Sequence, residues 1–94
     1  MASVTPRLEA LVRQDFEAGS VEPVLARLSQ LDGERVQTAV VLLSTGSWTR
    51  FEGAIKLAET DWRDVLISAG LEHEDWPLRL DAVLGSPDHF ANPS

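Results

Sequence analysis

The residue types closest to known chemistry lie in the run Glu72-His73-Glu74-Asp75, which gathers four potential metal ligands. A metal needs three or four donors converging at about 2 Å. Consecutive residues point in different directions, and the other histidine, His89, lies near the C-terminus. The pattern His-Glu-x-x-His is absent. The run therefore reads as an acidic linker ending in a helix cap, with no metal. Ser86, Asp88 and His89 supply the three residue types of a hydrolase triad. Near-adjacent positions do not place nucleophile, base and orienting carboxylate in line. No Gly-x-Ser-x-Gly turn accompanies them. Glu52, Glu59, Asp61 and Asp64 offer paired carboxylates, but Asp61 and Asp64 fall where a helix start favours acids for capping alone. The glycines stand singly, so no phosphate-cradling loop is present. The expectation is no catalytic residue, no metal and no cofactor.

What remains are three tryptophans, Trp48, Trp62 and Trp76, spaced 14 residues apart. Each follows a residue able to cap a helix: Ser47, Asp61 and Asp75. Their structural role is to staple helix starts onto the core, each burying on the order of 150–250 Å². Their functional role is as a contact surface, because tryptophan is enriched where binding energy concentrates. Trp48 and Trp76, at the ends of the stretch, are the tentative partner-binding residues. Trp62, between two helices, is expected inside. The spacing is too short for a helical solenoid, whose units hold two helices in about 34 residues or more.

Helices must position these side chains. Thr5-Pro6 is a cap followed by proline at the first helical position. Leu8, Leu11, Val12 and Phe16 then mark one face, and Gly19 is the expected end. Arg7, Glu9, Arg13, Asp15 and Glu17 fall on the faces expected to be wet. Ser20 is the expected cap of a second helix, with Pro23 in its first turn and Val24, Leu25, Leu28 and Leu31 as its stripe. Asp32-Gly33 is a turn signal. Residues 34 to 44 carry the stripe Val36, Ala39, Val40 and Leu43, widened by Val41 and Leu42 until little polar surface remains. A helix apolar nearly all round is a buried one, so this is the expected centre.

After Ser47, residues Trp48, Phe51, Ile55 and Ala58 line a fourth helix; Thr49 with Glu52 is an alternative capping box. After Asp61, residues Trp62, Val65, Leu66 and Ala69 line a fifth, closed by Gly70. After Asp75, residues Trp76, Leu80, Val83 and Leu84 line a sixth, closed by Gly85. Arg63 and Arg79 lie among acids and are expected to form local ion pairs. The predicted fold is all-α: a compact bundle of five or six short helices in one domain over residues 1–85, with a mobile tail over 86–94.

Composition narrows the function classes. The chain has 94 residues, no cysteine and a net charge of −7. Without cysteine there is no disulfide scaffold, thiolate zinc site or cysteine nucleophile. Residues 1–47 carry four basic and six acidic side chains; residues 48–94 carry four and nine. The basic residues are scattered, whereas nucleic-acid binding leans on a basic patch. Nucleic acid and anionic membrane are therefore disfavoured as partners; the charge would favour a basic partner, though acidity more often just keeps a small protein in solution. The longest apolar run, Ala39 to Leu43, is far short of the roughly 20 residues that span a bilayer. The N-terminus lacks a basic region followed by an apolar stretch, so no secretory signal is expected and the cytoplasm is the expected location.

The string Asp61-Trp62-Arg63-Asp64-Val65-Leu66-Ile67-Ser68-Ala69-Gly70-Leu71, followed by Asp75-Trp76, resembles a segment of short uncharacterised bacterial all-helical proteins. The resemblance covers about residues 35 to 85. It implies a bacterial cytosolic setting and carries no activity. The functional expectation is a small non-catalytic protein–protein interaction module, with a protein partner or a second copy of itself. The alternative is a small-molecule or regulatory-ligand domain with an aromatic pocket between the helices of 47–85.

Overall fold

The computed structural model describes residues 4–31 and 33–85. Five helices follow in order: α1 Pro6–Asp15, α2 Ala18–Leu28, α3 Glu34–Ser44, α4 Trp48–Ala69 and α5 Trp76–Leu84. Among the described residues there is no strand. The radius of gyration is 12.4 Å, as expected for a packed chain of this size (about 13 Å at 100 residues). The all-α bundle read from the sequence is the fold. Ser86, Asp88, His89, the predicted tail 86–94, and Asp32 of the predicted turn lie outside the described residues.

α3 is the buried helix its composition demands. Gln37 through Val41 are all buried, and α3 packs most extensively against α4. The buried face of α4 is Phe51, Ala54, Ile55, Ala58, Val65 and Leu66. Leu8 and Val12 from α1, Val24 and Leu28 from α2, and Leu80 and Leu84 from α5 complete one core. The buried amide of Gln37 has a structural task. Its Nε2 donates to the carbonyls of Leu28 and Leu31, at 2.9 and 3.2 Å, and so ties α3 to the turn that follows α2.

Asp61 decides whether there are five helices or six. Its backbone leaves helical geometry (φ −151°, ψ 87°) inside α4. Its Oδ1 accepts from the N–H of Arg63 at 3.2 Å, so it caps a second helical segment joined to the first without a loop. Ser47 caps the first segment by accepting from Arg50 N–H at 3.4 Å, which selects it over the Thr49–Glu52 alternative. At the far end Gly70 adopts φ 76°; its N–H bonds the carbonyl of Ile67, and Leu71 N–H bonds that of Leu66. This is the paired closure of a Schellman motif, sealed by buried Leu71.

Several expectations fail locally. α1 ends at Phe16, in extended conformation, before Gly19 is reached. The cause is tertiary: Phe16 turns inward to meet Phe51 edge-on, ring centroids 5.8 Å apart. Gly19 and Ser20 consequently lie inside α2, and Glu17 takes the capping position without a side-chain bond. Pro23 then falls in the interior of α2 instead of its first turn, which removes one helical hydrogen bond. Val83, expected on the apolar stripe of α5, is exposed.

The largest failure is at Arg7. Arg7, expected wet, is only 8% exposed. Its Nη2 and Nε donate to the two carboxylate oxygens of Glu34 at 2.6 and 2.8 Å. Its Nη1 reaches Asp81 Oδ1 at 2.6 Å and the carbonyl of Gly85 at 2.8 Å. One guanidinium therefore joins the start of α1, the start of α3 and the end of α5. These bonds hold the Glu34 carboxyl below its ordinary range, against burial that pushes it up. The Arg7 guanidinium is pushed further up from an already high value, chiefly by its hydrogen bond to Glu34.

Candidate functional site

The three tryptophans have three different environments. Trp48 begins α4, lies against Phe51 with ring centroids 5.4 Å apart, and is 37% exposed. Trp76 begins α5 and is half-buried against the core; the Arg35 guanidinium sits 4.8 Å over its ring. Trp62 is 48% exposed, the most open of the three, although it was expected inside. The reason lies at Asp61. The core face of α4 runs through Phe51, Ile55 and Ala58, and an unbroken helix would place position 62 on it. Trp62 keeps that face, since Val65 and Leu66, three and four residues on, are buried, but it stands at the bend that Asp61 makes. Trp62, in the first turn beyond it, stands between two grooves instead of beneath a neighbouring helix.

The larger groove is about 530 Å³ and runs between the end of α2, the start of α3 and the middle of α4. Its lining is Gln30, Leu31, Val36, Ala58, Glu59 and Trp62. The smaller, about 260 Å³, is lined by Arg35, Trp62, Arg63, Leu66, Ile67 and Glu72. Trp62 is the ridge shared by both. Ile67 adds a second large apolar side chain at 53% exposure. A further shallow groove of about 250 Å³ lies between α3 and α5, next to Gly70 and Val83. Trp48 and Trp76 line none of these three. They sit near opposite ends of α3: Trp48 just beyond its C-terminus, Trp76 against Arg35 near its N-terminus.

Charges around Trp62 are arranged asymmetrically. Glu59 is the charged lining of the larger groove, whereas the smaller carries Arg35, Arg63 and Glu72. The Arg63 guanidinium lies 5.4 Å over the Trp62 ring and, among the described residues, has no carboxylate partner. The ion pair expected of it is therefore not made. The pair expected of Arg79 is made, with Asp75 at 3.3 Å, and this occupies the side chain that was to cap α5. Arg35 donates from Nε to the carbonyl of Leu71 at 2.8 Å.

The acid-base candidates do not converge. Glu52, Glu59, Asp61 and Asp64 are all exposed, and Asp61 spends its carboxylate on capping. His73 lies 3.7 Å from Glu72, a contact that is ionic only when the imidazole is protonated. Among the described residues no three histidine or acidic side chains are grouped to hold a metal, and no helix is long and apolar enough to cross a membrane. No protein family matches the chain, and no curated protein or solved structure matches it.

Sequence reasoning missed Trp62 as the open tryptophan and Arg35 and Arg63 as the residues beside it. A signal was present. Asp61 is a capping residue in the middle of a helical pattern, and a first-turn side chain beside such a break can lie beyond the cover of the neighbouring helices.

Proposed function

We propose that this chain is a small, non-catalytic protein-interaction module whose contact face is centred on Trp62. The observation that carries the reading is a half-exposed tryptophan standing between two grooves, with exposed Ile67 beside it. Large apolar side chains left open around a concave surface mark protein contacts or ligand grooves. Tryptophan is among the residue types enriched where the energy of such contacts concentrates. The scattered carboxylates support the absence of catalysis. Trp48, open on one side, is a second contact candidate; Trp76 serves the fold more than the surface, because Arg35 covers its ring.

The test is a pull-down of the tagged chain from native lysate, read beside light scattering of the pure protein, for wild type and Trp62→Ala. A stoichiometric partner or a concentration-dependent dimer, lost in the variant while its helical content is retained, is the expected result. A clean monomer with no partner, or a partner indifferent to Trp62, overturns the reading.

The size of the larger groove favours a second reading. At about 530 Å³ it lies within the range of about 300–1,000 Å³ typical of small-molecule sites. Such a ligand would sit against Trp62, Leu31 and Val36, so the pocket borrows residues from outside 47–85. A thermal-shift screen distinguishes the two, because a ligand specific to the folded state raises Tm.

A further inference from the structure

We infer that the partner segment docking on the Trp62 face is acidic and amphipathic. It places one carboxylate between Arg35 and Arg63 and the neighbouring apolar side chains in the larger groove across Trp62. This rests on the interaction-module reading and adds the chemistry of the partner.

The two arginines are the basis. The chain carries 15 acidic side chains against 8 basic ones, which as a whole favours a basic partner; the groove beside Trp62, with two arginines and one carboxylate, is locally the opposite. Arg7, Arg13 and Arg79 all have carboxylate partners. Among the described residues Arg27, Arg35, Arg50, Lys56 and Arg63 have none, and of these Arg35 and Arg63 line one groove together. Each guanidinium is held over a tryptophan, and Arg35 is fixed further by its bond to the Leu71 carbonyl. Such groups have surrendered rotamer freedom before a ligand arrives, so less is lost on binding. Planar guanidinium groups match a carboxylate through paired N–H donors.

The charge balance and the size of the groove narrow the ligand. Two guanidinium groups face one carboxylate, Glu72, which favours a singly charged acid over a doubly charged group. A volume of about 260 Å³ is below the usual small-molecule range and suits one side chain. The carboxylate is therefore presented by a larger body, and the apolar floor beyond Trp62 receives the rest of it. Glu59 on that side repels a second acid, which sets the direction of the segment: acid toward Arg63, apolar residues toward Leu31 and Val36.

The experiment is selection of random dodecapeptides displayed on phage against the immobilised full chain. A synthetic copy of the most enriched peptide is then titrated against wild type, R63Q and W62A. Arg63 is exposed, so R63Q keeps the fold; R35Q is the second variant, its folding followed by circular dichroism. The expected outcome is enriched peptides that combine Asp or Glu with apolar residues. Affinity falls about tenfold in R63Q, as for the loss of a charge-assisted contact, and similarly when the peptide's acid is changed to its amide. Enriched peptides that need Trp62 but are basic or uncharged, or that bind R63Q as well as wild type, overturn this inference and leave the interaction module standing. Peptides indifferent to Trp62→Ala sink both, and a selection that enriches nothing overturns the acidic-segment assignment.

Discussion

Arg7 holds Glu34 through two parallel hydrogen bonds, at 2.6 and 2.8 Å, across 27 residues of sequence. The same guanidinium reaches Asp81, 74 residues away. The pair is buried on the Arg7 side and partly wet on the other, because Asp81 keeps half its side chain exposed.

Replacing Arg7 should be costly, because it strands Glu34. Breaking one partner of a buried pair costs about 3–5 kcal/mol, and partial access of water to Glu34 and Asp81 brings Arg7→Leu to about 2–4 kcal/mol. The double variant Arg7→Leu/Glu34→Leu should recover much of that, because no unpaired charge is left behind. Urea unfolding of the wild type, both single variants and the double variant measures the coupling. A double variant as unstable as the sum of the singles would contradict it.

Acid should weaken the fold through Glu34. Its carboxyl is held below its ordinary value when folded, so the unfolded chain takes up the proton first as pH falls. The stabilisation is whole above the unfolded value of about 4.5 and disappears as pH drops through the lower folded value. Glu34→Gln should lower stability at neutral pH and flatten its dependence on pH below about 4.5. Tm measured across that range for both proteins decides; parallel curves would assign the acid sensitivity to other groups.

Gly46 is required by contact as well as by conformation. It adopts φ 80°, and a Cβ there would stand 2.5 Å from the carbonyl oxygen of Asp15. Gly46→Ala should destabilise by about 2–4 kcal/mol, combining the left-handed strain with displacement of the end of α1. Gly53→Ala is the control. Its Cβ would meet nothing within 4 Å, and alanine in a helix is favoured by about 0.5–1 kcal/mol, so Tm should rise slightly. Thermal melts of both read the contrast.

The tryptophans should separate by role. Trp76→Ala removes a half-buried ring and the seat of Arg35, so it should cost about 2–3 kcal/mol, below the 3–5 of a fully buried tryptophan. Trp62→Ala should cost about 1 kcal/mol and leave the melt nearly unchanged while association is lost. Melting curves beside the pull-down score both. Trp62→Ala unfolding as readily as Trp76→Ala would make it a core residue.

Local chemistry made much of the fold legible in the sequence. Thr5 and Ser47 cap helices through bonds to N–H groups three residues on, and Gly70 closes one through bonds reaching back to Leu66 and Ile67. Such bonds depend only on near neighbours, so residue type and spacing were sufficient. The burial of α3 followed in the same way, because a helix apolar on nearly every side has no stable exposed orientation. Phe16, Arg7 and Trp62 were decided by tertiary structure. Phe16 ends α1 early because Phe51 lies across from it, and Arg7 is buried because Glu34 and Asp81 arrive from distant segments. Trp62 is open because none of the described helices packs over the turn after Asp61. Whether a side chain is covered depends on which other element packs over it, and residue type and spacing along the chain do not carry that information.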